Sequence, residues 1–147
     1  MGSGNRGLWV DIRGRVPRDR DVERTGSVIG AFYEVYNTLG FGFLETAYSA
    51  AFEWELRARG HQVAREVGVR VVYKGFPIAT HRLDLVVDET LVVEIKSTPE
   101  LPKRAGRQVF NYLKATGLRV GFLFHFGPEP KFFRINYHPS SPNRGSI

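Results

Sequence analysis

The residues with the clearest chemical signature lie between Arg82 and Lys96, where Asp84, Glu94 and Lys96 interrupt an otherwise apolar stretch. In a strand, residues two apart point to the same face, so Glu94 and Lys96 project together with Ile95 opposed. Asp84 belongs to the preceding strand, joined by a tight turn at Asp88-Glu89, and can reach the same face. Burying such charges is costly unless they are paired or hold a metal. Hard oxygen donors at this charge density suit Mg²⁺ or Mn²⁺, which takes one or two protein carboxylates and completes its shell with water or phosphate. Such an ion generates hydroxide from water and stabilises phosphoryl charge, while a nearby lysine can hold the attacking water. A plain Asp84–Lys96 or Glu94–Lys96 ion pair on an exposed strand face explains the same residues, because short motifs match often.

Glu45 stands in Gly42-Phe43-Leu44-Glu45-Thr46-Ala47-Tyr48. A helix beginning near Phe43 places Glu45 in its first turn, where a carboxylate complements the positive end of the helix dipole. From there it could also reach over the sheet as a further metal ligand or water-holder, with Tyr48 one turn on beside it. Gln108 and Tyr112 share a helical face by their i, i+4 spacing. Val109, Phe110 and Leu113 define the core side of that helix, Tyr112 borders it, and Gln108 lies just outside. Lys103, Arg107 and Lys114 form a separate basic stripe. Lys103, Arg104 and Arg107 fall in the first turns, where the dipole disfavours cations. A bound phosphate would offset that conflict, and a solvated basic face is the plain alternative. The histidines contribute little: His81 has the wrong parity for the Asp84 face, and His125 reads as a packed strand residue. No phosphate-binding loop, dinucleotide fingerprint or serine-hydrolase elbow is present.

Several elements must position these groups. Apolar spacing predicts a helix from about Val22 to Leu39, stopped by Gly40 and Gly42, and a second from about Phe43 to Arg59. Alternation at Val67, Val69, Val71 and Tyr73 predicts a strand, with a hairpin turn at Lys74-Gly75. Strands follow at Ala79–Val87 and Leu91–Ser97, the latter buried on both faces. Pro99 and Pro102 precede a helix from about Lys103 to Ala115, and strands at Arg119–Phe126 and Phe132–Tyr137 close the domain. The order is α-α-β-β-β-α-β-β, an α/β sandwich.

Composition narrows the field. A chain of 147 residues fits one domain, and the apolar content is too high for a disordered chain. The expected organisation is a flexible basic N-terminal arm over 1–21, a folded domain over 22–137 and a flexible tail over 138–147. The absence of cysteine removes disulfides, thiolate nucleophiles and Cys-ligated metals. Apolar runs fall far short of a membrane span and the N-terminus lacks a signal-peptide core, so a cytoplasmic protein with no membrane partner is expected. The net charge of +6 points weakly to a polyanionic partner.

Taken together, the segments resemble the GxxExxY family of the PD-(D/E)XK nuclease superfamily. The name-giving motif is Gly42 to Tyr48, and the likeness continues through Glu55-Leu56, Val72-Tyr73-Lys74-Gly75, Arg82-Leu83-Asp84 and Val93-Glu94-Ile95-Lys96. It then runs through Gln108, Asn111 to Gly117, Gly121-Phe122-Leu123 and His125-Phe126-Gly127. The residue before Asp84 is Leu where the motif's name has Pro. The resemblance implies a restriction-endonuclease-like core, a central mixed β-sheet flanked by helices. It implies metal-binding positions at Asp84, Glu94, Glu45 and Ile95, with Lys96 acting on the water. Gln108 and Tyr112 are similar to the Gln/Tyr motif of the RecB-like branch, which orients site or substrate. The missing cysteines exclude the iron–sulfur variants of that branch. The implied function is Mg²⁺- or Mn²⁺-dependent hydrolysis of nucleic acid, DNA ahead of RNA, with Lys103, Arg104, Arg107 and Lys114 on the backbone. The alternative is a non-catalytic nucleic-acid- or partner-binding module keeping the nuclease fold. With no base-reading element, sequence specificity is expected only if a homo-oligomer or a partner supplies it.

Overall fold

A computed structural model of the chain describes residues 19–139. The elements are α1 (Asp19–Leu39), α2 (Glu45–Ala58), β1 (Val63–Tyr73), β2 (Phe76–Val87), β3 (Leu91–Lys96), α3 (Ala105–Thr116), β4 (Val120–Phe126) and β5 (Pro130–Asn136). Their order is the one expected from the sequence. Most of the expected arm and tail lies outside the described residues, although α1 already begins at Asp19, inside the segment assigned to the arm.

The strands form one sheet in the order β1-β2-β3-β4-β5, antiparallel throughout except for the parallel β3–β4 pair. That pair is parallel because α3 intervenes between its strands, and a parallel return needs such a crossover. β3 is buried along Leu91–Ile95, as expected for a central strand covered on both faces. One face packs on α1 and α2 through Val28, Phe32, Tyr48, Phe52, Phe124 and Phe126. The other packs on α3 through Val92, Val109, Tyr112, Leu113 and Leu123. The sheet is therefore sandwiched between helical layers, the architecture of the restriction-endonuclease-like fold.

Two turns set the strand register. Lys74 (φ 48°) and Gly75 (φ 84°) both occupy the left-handed region, the geometry of a tight hairpin, with glycine where no Cβ penalty arises. Asp88 (φ 52°) and Glu89 (φ 58°) do the same without glycine. There the Asp88 carboxylate fixes the turn, accepting from the Gln62 N–H at 2.9 Å and lying 2.7 Å from His61 Nδ1 and 3.3 Å from Arg24 Nε.

The alternation of β1 and β2 breaks in the middle of the hairpin. Leu85 and Val87 pack with the α1/α2 core, yet Leu83 packs with the α3 core, although residues two apart in a regular strand share a face. On β1 the same switch separates Val63 from Val67. The break falls between the pairs Arg65↔Leu85 and Val67↔Leu83, where Glu66 adopts φ 51°. Asp84 sits at this irregularity.

α3 is shorter than expected. The Pro102 carbonyl accepts from the Ala105 N–H at 3.0 Å, forming a turn before the helix, and Arg104 is the N-cap. Lys103 and Arg104 therefore precede the helix instead of lying in its first turns. Tyr112 belongs to the buried face, whereas Phe110, expected on the core side, is half-buried against Tyr137 and the Arg107 guanidinium.

Candidate active site

Ladder pairing between β2 and β3 ends at Leu85↔Val93. Beyond it the main-chain donors need other partners, since buried N–H groups are rarely left unpaired. Two carboxylates supply them. The Ile95 N–H donates to Asp84 Oδ2 at 2.7 Å, and the Asp84 N–H donates to Glu94 Oε1 at 3.1 Å. The carboxyl groups of Asp84 and Glu94 also hydrogen-bond each other, which requires a proton between them.

The pair is strained electrostatically. Burial, and then the Asp84 charge, push Glu94 up to about 8. Burial also raises Asp84, outweighing the Ile95 N–H, the Lys96 charge and the hydrogen bond to Glu94, which pull the other way, while Glu66 adds to the rise. Glu94 therefore keeps its proton largely in place at neutral pH.

Glu45 opens α2, and burial followed by the Asp84 charge raises its pKa against the Lys96 charge and a hydrogen bond from the Ser97 N–H. Tyr112 reaches the same place from α3: burial, then the charges of Glu94 and Asp84, raise its phenol. Its ring lies 5.9 Å from that of His81. The broken alternation of β2 thus brings His81 to the face from which regular parity excludes it. The charge of Lys96 acts on Glu45, Asp84 and Glu94 alike. None of the ion pairs among the described residues includes it, so the plain ion-pair explanation of the motif does not describe this site.

Not every expected residue joins the cluster. Gln108 is exposed and its side chain makes no hydrogen bond among the described residues. The Ile95 side chain is buried in the α1/α2 core, so the residue could ligate only through its main-chain carbonyl. Lys103, Arg104, Arg107 and Lys114 are all exposed. Lys114 lies in the last turn of α3, about 15 Å along the axis from Lys103 and Arg104 at 1.5 Å per residue, so they do not form one compact patch. Conversely, sequence reasoning overlooked Glu66, whose charge acts on Asp84. Counting back from the Lys74-Gly75 turn would have set Glu66 opposite Leu83; a shift in the β1–β2 pairing between Val71 and Val72 moves it by one residue, to the level of Asp84. It also passed over Ser97, the main-chain partner of Glu45.

Among the described residues, no group of three or more His, Asp or Glu side chains is placed to hold a metal ion. The cause is visible in the bonding: Asp84 and Glu94 turn toward main-chain donors and each other, and Glu45 turns to Ser97. The donor chemistry nevertheless fits a hard divalent ion. The adjacent carboxyl pair, deprived of water, retains a proton that a cation would replace.

A mixed sheet between helical layers, with acidic residues and a lysine gathered where its central strands part, defines a PD-(D/E)XK-type α/β fold. The chain belongs to the PD-(D/E)XK nuclease superfamily, whose family model matches residues 22–135. Among solved structures it is similar to the one described as the crystal structure of SSO0001, with a TM-score of 0.51 and 18% identity. The match covers 82% of this chain but 60% of that one, so the likeness concerns the fold. No curated protein matches the sequence. Among the described residues, no helix is long and apolar enough to cross a membrane.

Proposed function

We propose that this protein is a divalent-metal-dependent nuclease hydrolysing phosphodiester bonds, with DNA the preferred substrate ahead of RNA, and that it belongs to the GxxExxY family of the RecB-like branch. The observation that carries the reading is the Asp84–Glu94 pair: a half-buried and a buried carboxyl group side by side where the pairing of β2 with β3 ends. A purely structural site would place one acid or none there, because each added buried carboxylate is unfavourable.

Asp84 and Glu94 would hold Mg²⁺ or Mn²⁺, with Glu45 turning in from α2 and the Ile95 carbonyl alongside. Bound there, the ion would supply an acidified water and neutralise charge on the phosphoryl oxygens. Lys96, unpaired with any acid among the described residues, is available to orient that water and to offset charge as it attacks. Tyr112 closes the α3 side and limits solvent access, while Gln108 would need the substrate to draw it in. The Lys103, Arg104, Arg107 and Lys114 cations would hold the nucleic-acid backbone, so binding should weaken steeply with salt.

The test is cleavage of supercoiled plasmid and of a single-stranded oligonucleotide in Mg²⁺ or Mn²⁺, comparing the native protein with Asp84→Ala and Lys96→Ala. Metal-dependent cleavage abolished by both substitutions is expected. Salt-sensitive binding with no cleavage under any metal would instead establish the non-catalytic binding module.

A further inference from the structure

We propose that Phe41, Phe43 and Leu44 form an apolar lip that stacks against an unpaired nucleobase beside the scissile phosphate, so that the preferred substrate is single-stranded or has a frayed end. This inference rests on the nuclease reading and specifies its substrate. The lip immediately precedes Glu45. Phe43 lies two residues before it, so their Cα atoms are within about 7 Å of each other. A strand whose phosphate reaches the acidic cluster passes this segment.

The lip is exposed in a way that packing does not explain. Phe41 is 45%, Phe43 50% and Leu44 79% exposed. Leu44 is also the N-cap of α2, and its side chain makes no capping hydrogen bond. Ser, Thr, Asp or Asn would stabilise that position. An exposed leucine at a cap position beside the acidic cluster therefore departs from local stability rules where function is expected to impose such departures.

The lip is also held in place. The Tyr48 hydroxyl donates to the Gly40 carbonyl and accepts from the Phe43 N–H at 3.2 Å. The Phe43 ring meets the Tyr48 ring edge-on, with centroids 6.1 Å apart. Tyr48 itself is fully buried against Phe126, at 4.2 Å between ring centroids. One tyrosine, anchored in the core, thus fixes the chain on either side of Gly42 and presents apolar side chains to solvent. An exposed, preorganised aromatic on which a base can stack is one of the means by which proteins engage single strands. In a duplex interior, both faces of each base are already covered by its neighbours, so such a lip has nothing to stack on.

The experiment is fluorescence anisotropy with a dye-labelled single-stranded oligonucleotide and the same sequence as a hairpin-capped duplex, in EDTA so that no cleavage intervenes. The native protein is compared with Phe43→Ala/Leu44→Ala and with Phe43→Trp. Loss of a base–aromatic stack should weaken single-strand binding by at least about fivefold, leave duplex binding within about twofold, and be recovered by Phe43→Trp. Equal loss on both substrates, no loss on either, no single-strand binding by the native protein, or a changed oligomeric state in the double variant overturns the lip. Single-strand binding that behaves as expected in a protein that cleaves nothing leaves the lip standing and removes the nuclease reading. Circular dichroism and unfolding of the double variant confirm the fold, which both exposed side chains should leave intact.

Discussion

Replacing Glu94 with Gln should stabilise the metal-free protein while abolishing its metal site. Glu94 titrates at about 8 in the folded chain against an ordinary 4.5. Its folded pKa is therefore raised, the folded state binds the extra proton between those values, and stability falls as pH rises through that window. At pH 7 the wild type carries a penalty on the order of 3 kcal/mol, from about 1.4 kcal/mol per pH unit above the unfolded value. Below about pH 4.5 the penalty is absent. Gln retains an oxygen for the Asp84 N–H, and its amide can donate to the Asp84 carboxylate, so the substitution removes the titration and keeps the geometry. Urea unfolding in EDTA should give nearly equal stability for wild type and Glu94→Gln at pH 4.5, and a gap that widens in favour of the variant up to about pH 8. Added Mg²⁺ or Mn²⁺ should stabilise the wild type and not the variant. A variant that is less stable at pH 8, or a gap independent of pH, would refute the shared-proton account.

Tyr48→Phe removes both hydrogen bonds that anchor the Gly40–Phe43 segment. It should cost about 1–3 kcal/mol in urea unfolding and lower cleavage further by releasing the start of α2, which carries Glu45. At Asp88, hydrogen bonds from the His61 ring and the Gln62 N–H, with the charges of His61 and Arg24, overcome the effect of burial and hold the pKa low. Its stabilisation is therefore present above the unfolded Asp value and is lost as pH falls through the lower folded one. Asp88→Asn, which tolerates the left-handed backbone there, should lose about 1–2 kcal/mol at pH 7 and nothing near pH 2, as read by thermal unfolding across pH. Gly121→Ala should cost about 1–3 kcal/mol, because a Cβ at that position would lie 2.6 Å from Val109 Cγ1 where α3 packs on β4.

Much of this molecule is legible in its sequence because the signals are local and strong. The apolar stripe of Val28, Phe32 and Val35 and the alternation of β1 define their elements. The glycine at each helix end and the Lys74-Gly75 turn define where they stop. Glu94 and Lys96 share a face by simple parity, and the structure brings Asp84 to them across the turn at Asp88. What parity could not reveal is the switch at Glu66 and Asp84, since a left-handed glutamate leaves no local trace. That switch moved His81 to the site face and turned Asp84 into a partner for the Ile95 main chain. The start of α3 was misplaced for a related reason: Lys103 and Arg104 have helical propensity, but the turn closed by Pro102 holds them outside. Gln108 is on the expected helical face, yet exposure leaves its role to the substrate.

The central claim is that the Asp84–Glu94 pair is a metal seat occupied by a proton until an ion replaces it. Titration calorimetry with Mn²⁺ at pH 7, repeated in buffers of different ionisation enthalpy, measures both affinity and proton release. The account predicts binding to the wild type with release of about one proton, and no binding in Glu94→Gln or Asp84→Ala. Unaltered binding in Asp84→Ala, or binding to the wild type with no proton released, would contradict it.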